Sequence, residues 1–236
     1  MKLRYWLVIL TYVVMQFSSL IFAPLLFYTL PITEVQAINY GTITAFITGL
    51  IVVLWIMQPE MKRPPKENAA NGPEMFAWSL AGVFMAYLAN SVAASIEMSV
   101  LGIEPGSENT EIIMNIIEAS PLFVIIPALI APILEEIVFR KIIFGTLYKR
   151  TNFFIAAILS AIIFGLIHGE PEHILVYTSM GFVFAFLYVK TKRIIVPIIV
   201  HMLLNSLTII LQYALDLDKL EQKLHELETM QTIIGG

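Results

Sequence analysis

Six polar side chains that stand in otherwise apolar stretches are the ones whose types could do chemistry. Two adjacent glutamates and an arginine share one stretch, and two histidines and an asparagine follow later: Glu135, Glu136, Arg140, His168, His201 and Asn205. An ionisable group inside a membrane span costs about 2.5–3.5 kcal/mol, so it is treated first as a functional hypothesis. Carboxylate, imidazole and amide groups together are suited to transferring protons, binding an ion or hydrolysing a bond.

The spacing of these residues assigns them to helix faces. Glu136 and Arg140 are four residues apart, so they share a face and are expected to form an ion pair. Glu135 points about 100° away from that face and has no cation close to it in sequence. His201 and Asn205 are also four residues apart and project from one face. An ion pair therefore explains Glu136 and leaves Glu135 without a structural explanation.

Glu135 and His168 are expected to lie at the same depth in the membrane. They flank a turn near residues 150–152. With a rise of 1.5 Å per residue, each lies roughly 22–24 Å from that turn, so antiparallel helices would bring them level. His201 and Asn205 lie nearer the start of the last apolar segment, so their depth in the membrane is expected to be somewhat smaller. We therefore predict that these four side chains converge on one intramembrane site.

The composition predicts that the helices carrying these residues are membrane spans. Of 236 residues, 58% are hydrophobic and 14% charged, and the mean hydropathy is +0.82, whereas soluble domains have roughly 45–50% apolar and about 25% charged residues. We predict an all-α, polytopic transmembrane helix bundle in the cell membrane, which excludes a soluble enzyme and a disordered chain. The net charge of −4 excludes a nucleic-acid partner. Without cysteine, disulfides, thiolate metal sites and a cysteine nucleophile are excluded.

Seven apolar segments are candidate spans, and the fold is expected to have about seven to eight. The segments cover residues 6–30, 38–57, 76–101, 121–147, 153–168, 174–189 and 194–215. We divide the chain into N-terminal helices with a linker (1–110), a catalytic helical core (111–215) and an amphipathic tail (216–236). The leucine stripe within residues 216–229 is interpreted as surface packing, with a dimer seam as the alternative.

Basic residues alternate with acidic ones between the candidate spans. Lysines and arginines precede the first span and follow the second, fourth and sixth, whereas residues 31–37, 102–120 and 169–173 contain glutamates and no basic residue. Under the positive-inside rule, this pattern predicts a cytosolic N-terminus and an external C-terminus.

The residues and motifs of several catalytic classes are missing from the sequence. The only aspartates are Asp216 and Asp218, so a paired-aspartate intramembrane protease is excluded, and the chain has neither Gly-x-Ser-x-Gly nor His-Glu-x-x-His.

Three other polar residues have structural interpretations. We interpret His173 as an exposed loop residue. Asn90 is expected to make an interhelical hydrogen bond and Glu97 to lie at the interface, with a place along the substrate entry as the alternative for both.

Three motifs resemble a known family. Glu135-Glu136-x-x-x-Arg140, Phe164-x-x-x-His168 and His201-x-x-x-Asn205 are similar in order and approximate spacing to the signature motifs of the intramembrane CPBP family. That family includes Rce1-type CAAX prenyl endopeptidases and bacterial Abi-type bacteriocin-processing or self-immunity proteins. The resemblance covers residues 121–205. Because the family core has eight helices, the resemblance implies, beyond the seven candidate spans, a short or re-entrant helix near residues 111–117, or else different first spans. Lys141 stands where the family often has glycine, which affects local packing and removes no catalytic group.

The resemblance implies intramembrane hydrolysis of a peptide bond in a membrane-associated, prenylated or leader peptide, with the peptide or membrane protein and the lipid bilayer as partners. It implies that Glu135 activates a water as general base, with His168 holding the same water. His201 and Asn205 would donate hydrogen bonds to the oxyanion, and Glu136 with Arg140 would orient the site. No cofactor is expected. The alternative is a zinc enzyme in which His168, His201 and Glu135 or Glu136 are ligands.

Two other classes of function stay open. A non-catalytic immunity or scaffold protein would keep the same fold without hydrolysis. A transporter would use the Glu, His and Asn cluster to relay protons or bind an ion, although no internal repeat supports it.

Overall fold

The structure, a computed structural model, describes residues 1–214, and the described chain has eight main helices, a 3₁₀ turn (Pro171–His173) directly before the seventh, and no strand. These are α1 (Leu3–Thr29), α2 (Glu34–Met61), α3 (Gly72–Leu101), α4 (Glu108–Ala119), α5 (Pro121–Leu147), α6 (Phe153–Ile167), α7 (Ile174–Thr191) and α8 (Ile195–Ala214). The all-helical prediction is confirmed. The amphipathic helix expected over residues 216–229 and the tail 216–236 lie outside the described residues.

The helices match the candidate spans closely. Among residues 1–214, six helices are long and apolar enough to cross a membrane, and α6 is a shorter apolar helix of 15 residues. The protein is therefore a multi-pass membrane protein. The short helix expected near residues 111–117 is present as α4. The direction in which the spans cross the bilayer stays a prediction.

Helices α1 and α2 form an antiparallel hairpin. Thr33 caps α2: its hydroxyl accepts from the Gln36 N–H, and the Gln36 side chain accepts from the Thr33 N–H. Gly41 allows the two backbones to approach closely, because a Cβ there would lie 2.8 Å from the Ala23 nitrogen. The hairpin packs against the central helix α5 through residues such as Tyr12 and Phe139.

Helix α5 is not a regular α-helix, although its sequence predicts a single span. It begins with a 3₁₀ turn (Pro121–Val124), continues as a π-helix (Ile126–Ile130) and an α-helical turn (Ala131–Glu135), and then forms a second π-helix (Glu136–Phe144) before Gly145–Leu147. π-helical turns are rare and occur frequently at functional sites. The apolar pattern of the sequence carries no information on this change of turn.

The remaining helices enclose α5 on its other side. Helices α3, α7 and α8 pack together around Ala86, Phe184, Leu187 and Val200, and α6 crosses α7 where Gly181 faces Ala161. The Ser160 hydroxyl on α6 donates a hydrogen bond to the Phe139 carbonyl at 2.8 Å. These contacts hold α5, with its adjacent glutamates, at the centre of the bundle.

Candidate active site

A cavity of about 550 Å³ opens at the centre of the bundle and is lined by residues from all eight helices. Four of the six residues selected from the sequence line it: Glu135, His168, His201 and Asn205. The other two, Glu136 and Arg140, are 0% and 1% exposed and lie behind the cavity wall. The structure thus brings all six together and separates them into residues that a substrate can reach and residues that it cannot.

His201 lies between the two glutamates. Its Nδ1 is 3.0 Å from Glu136 Oε1, and its Nε2 is 3.7 Å from Glu135 Oε2. The ring stacks on Phe184 with 4.9 Å between the centroids, which fixes its plane. Because Nδ1 donates to the Glu136 carboxylate, Nε2 is the ring nitrogen that faces Glu135.

Arg140 provides the counter-charge of Glu136. Its Nε lies 3.2 Å from Glu136 Oε2, which is the ion pair that the i,i+4 spacing predicts. The guanidinium stacks over Phe164 at 4.2 Å and over Phe184 at 5.1 Å from the ring centroids. These rings also contact His201, so Arg140 holds both Glu136 and the aromatic support of the histidine.

A backbone hydrogen bond selects the tautomer of neutral His168. Its Nδ1 lies 2.8 Å from the Phe164 carbonyl oxygen, which can only accept, so Nδ1 carries the proton. The ring stacks on Tyr177 at 4.1 Å. The lone pair of Nε2 therefore remains available to a molecule in the cavity.

Asn205 donates a hydrogen bond to a backbone carbonyl of α5. Its side-chain amide donates to the Pro127 carbonyl at 2.8 Å. In a π-helix this carbonyl would accept from residue 132, which is a proline without an N–H, while the Ala131 N–H bonds to Ile126. One amide hydrogen of Asn205 thus has a structural use, and the other and the carbonyl oxygen remain at the cavity wall.

The structure contradicts the interpretation of His173 as an exposed loop residue, whereas the interfacial position of Glu97 stays a prediction. Glu97 is 1% exposed, and it accepts hydrogen bonds from the Leu175 and Val176 N–H groups at the start of α7. His173 is half-buried, with its Nδ1 3.0 Å from Glu97 Oε2. Both line the cavity. The sequence did signal a role for Glu97, because a glutamate in a candidate span is unusual. It could not reveal the partner, because the N–H groups that Glu97 accepts from begin 78 residues later in the chain.

Tyr12 and Gln16 also line the cavity and were missed by sequence analysis. The Gln16 amide donates to the Tyr12 hydroxyl at 3.2 Å. Both are uncharged residues of an apolar first helix, so nothing in their local sequence distinguishes them from packing residues.

Glu170 ties the segment before α4 to α7. Ser107 Oγ and the Asn109 N–H donate to its carboxylate at 2.9 and 3.0 Å, and the Tyr177 hydroxyl donates as well. Burial acts to raise the pKa of Glu170, but the hydrogen bonds from Tyr177, Asn109 and Ser107 outweigh it and hold that pKa below its ordinary value.

The residues of the zinc alternative line the site without forming a metal-binding group. Within residues 1–214, no three His, Cys, Asp or Glu side chains are arranged to hold an ion. Both ring nitrogens of His201 face glutamates.

Comparison with known proteins identifies the family. A sequence model described as Type II CAAX prenyl endopeptidase Rce1-like matches residues 117–207, which contain all six residues. The Bacillus subtilis membrane peptidase YdiL is 45% identical across 100% of this chain and 99% of its own length. The chain belongs to the Rce1-like CAAX protease family.

A second member of the Rce1-like CAAX protease family has a similar overlap. The membrane-embedded CAAX protease MroQ of Staphylococcus aureus is 33% identical over 89% of this chain and 90% of its own length. YdiL also matches α1 to α3, which the sequence model of the family does not cover. No solved structure matches the chain at a significant level.

Proposed function

We propose that the protein is an endopeptidase that hydrolyses a peptide bond of a membrane-associated substrate with a water activated by Glu135. The observation that carries the proposal is the shared cavity: Glu135, His168, His201 and Asn205 line it together, with Glu136 directly behind His201. Membership in the Rce1-like CAAX protease family supports peptidase chemistry. A prenylated or leader peptide is the kind of substrate that this proposal assigns.

Charge balance supports a division of roles. Glu135 and Glu136 bring two negative charges, and Arg140 brings one positive charge. With a proton on His201 Nε2, these four side chains would be neutral overall, which lowers the cost of burying their charges. In that state His201 can donate a hydrogen bond into the cavity, while Glu135 can accept a proton.

The proposed reaction uses one water and returns every proton. Glu135 takes a proton from the water, whose second hydrogen bonds to the lone pair of His168 Nε2, and the water oxygen attacks the carbonyl carbon. His201 and the remaining amide hydrogen of Asn205 donate to the oxyanion. The C–N bond then breaks, and Glu135 passes its proton to the amine. The products are a carboxylic acid and a free amine.

The test compares wild-type protein with Glu135→Gln and the matched control Glu172→Gln, a glutamate that is exposed outside the cavity. Each protein in lipid nanodiscs is incubated with a membrane-protein extract and a peptide library, and mass spectrometry identifies the new N-termini. Wild type and Glu172→Gln should produce the same cleavage sites. Glu135→Gln should produce them roughly 10²–10⁴-fold more slowly, the usual contribution of a general base.

Three outcomes contradict parts of the proposal. Cleavage that continues unchanged in Glu135→Gln would remove the assigned base. Cleavage that a zinc chelator abolishes and added zinc restores would replace the metal-free mechanism with the zinc alternative. A cellular phenotype that persists in a folded Glu135→Gln protein would favour the scaffold function.

A further inference from the structure

The charged residues of the cavity wall are strongly biased towards one sign. Glu97, Glu104 and Glu135 line the cavity, whereas no lysine or arginine among the described residues does. Arg140 lies behind the wall and is already paired with Glu136. A substrate inside the cavity therefore encounters carboxylates, imidazoles and neutral groups, and no permanent cation.

The carboxylates differ in how far their charge is compensated. Glu135 lies beside His201, and Glu97 accepts two backbone N–H bonds and contacts His173. Glu104 is exposed, so it marks the rim where the cavity meets the segment between α3 and α4. That segment and α4 contain further glutamates and no basic residue. The entrance at this rim is acidic and attracts positive charge.

A buried side-chain oxygen without a hydrogen bond favours a donor group inside the cavity as well. Asn90 lines the wall, and its Oδ1 is buried without a hydrogen-bond partner among the described residues. The interhelical hydrogen bond predicted for Asn90 is therefore not made by this oxygen. A buried carbonyl oxygen without a donor is costly, and a peptide N–H or a lysine or arginine side chain would supply the donor.

A substrate cleaved close to its C-terminus fits these groups poorly. A C-a-a-X sequence ends in a free carboxylate three residues beyond its cysteine. Three extended residues span about 10 Å, so this carboxylate would remain within or just outside a cavity of this size. It would find carboxylates there and no lysine or arginine.

We propose that the cavity accepts an internal or N-terminal segment of a cationic peptide and discriminates against a free C-terminal carboxylate near the scissile bond. This inference rests on the proposed function and narrows its two kinds of substrate to the leader peptide, because a prenylated C-a-a-X sequence ends in such a carboxylate. Glu104 attracts the basic residues at the rim, and Asn90 Oδ1 accepts from the bound segment.

The test measures binding, so it does not depend on turnover. The Glu135→Gln protein in neutral-lipid nanodiscs is titrated with three peptides that share one apolar core and a neutral fluorophore. The first is capped at both ends and carries two lysines, the second is capped and carries two glutamates, and the third is the lysine peptide with a free carboxylate three residues after the core. The first should bind at least about tenfold more tightly than either of the others.

Two charge variants of that protein test where the preference arises. Glu104→Lys should reduce the ratio between the first and second peptides at least threefold. The control Glu172→Lys makes the same change at an exposed glutamate outside the cavity and should leave the ratio within twofold. Equal binding of the three peptides, preference for the free carboxylate, or no binding of any peptide would overturn the inference.

These results are separable from the failure of the proposed function. A protein that binds the lysine peptide preferentially but never cleaves a substrate would retain the binding inference and lose the peptidase mechanism. A protein whose cleavage depends on Glu135 but whose binding does not depend on peptide charge would retain the peptidase mechanism and lose the binding inference.

Discussion

Glu136 and Arg140 place two full charges where water does not reach. Both are essentially unexposed, and the three nitrogens of the guanidinium have no hydrogen-bond partner within the described chain. Ion pairing with Glu136 and stacking on Phe164 and Phe184 are therefore the stabilising contacts of the guanidinium. Glu136 is the carboxylate in direct contact with Arg140, and Glu135 adds a smaller electrostatic attraction.

Removing that carboxylate should destabilise the fold. We expect Glu136→Gln to lower the free energy of unfolding by about 3–5 kcal/mol, because it leaves a buried positive charge uncompensated. The double variant Glu136→Gln with Arg140→Met should recover most of this loss. Thermal unfolding in detergent measures both, and the prediction fails if the double variant is less stable than the single one.

At the scale of elements, the contact between α6 and α7 depends on a glycine. A Cβ at Gly181 would lie 2.9 Å from Ala161 Cβ and 3.3 Å from Arg140 Nη2. We expect Gly181→Ala to cost about 1–3 kcal/mol by overpacking, and Ala161→Gly in the same chain to restore part of it. Gly72→Ala is the control, since nothing lies within 4 Å of its Cβ position. Equal melting temperatures for Gly181→Ala and wild type would contradict the prediction.

The link between Glu170 and the segment before α4 should depend on pH. The pKa of Glu170 is lower in the folded than in the unfolded chain. Its stabilisation is therefore complete above the unfolded-state pKa and is lost as the pH falls through the folded-state pKa. Protection of the Asn109 amide from hydrogen exchange, corrected for the intrinsic rate, should fall over this acidic range.

Glu170→Gln provides the control for that measurement. The Asn109 amide should be less protected at neutral pH in this variant and should show no further acidic step. An acidic step of the same size in Glu170→Gln would assign the effect to another group.

The elements themselves were largely predictable, whereas the details of the site were not. Long apolar segments identified the spans, and the i,i+4 spacing identified the contact of Glu136 with Arg140. The first π-helical part of α5 involves a proline and a donor on a distant helix, which hydrophobic periodicity cannot reveal. The cap that Glu97 provides for α7 is likewise a contact between residues far apart in the chain.

At the scale of the whole molecule, the direction of insertion is a prediction that the absence of cysteine makes easy to test. The positive-inside rule places Lys66 in the cytosol and Glu104 outside. A membrane-impermeant maleimide should label Glu104→Cys in intact cells and Lys66→Cys only after permeabilisation. The reverse pattern would invert the topology, and wild type is the unlabelled control because it has no cysteine.

The hydrogen bond from Asn205 to the Pro127 carbonyl has a consequence for biosynthesis. These residues are 78 positions apart, and at 5–20 residues per second a ribosome needs roughly 4–16 s to travel between them. Until Asn205 is made, the Pro127 carbonyl oxygen in α5 has no hydrogen-bond donor, and lipid cannot supply one. Helix α5 should therefore remain beside the insertion machinery, or in contact with water, until α8 arrives to complete it.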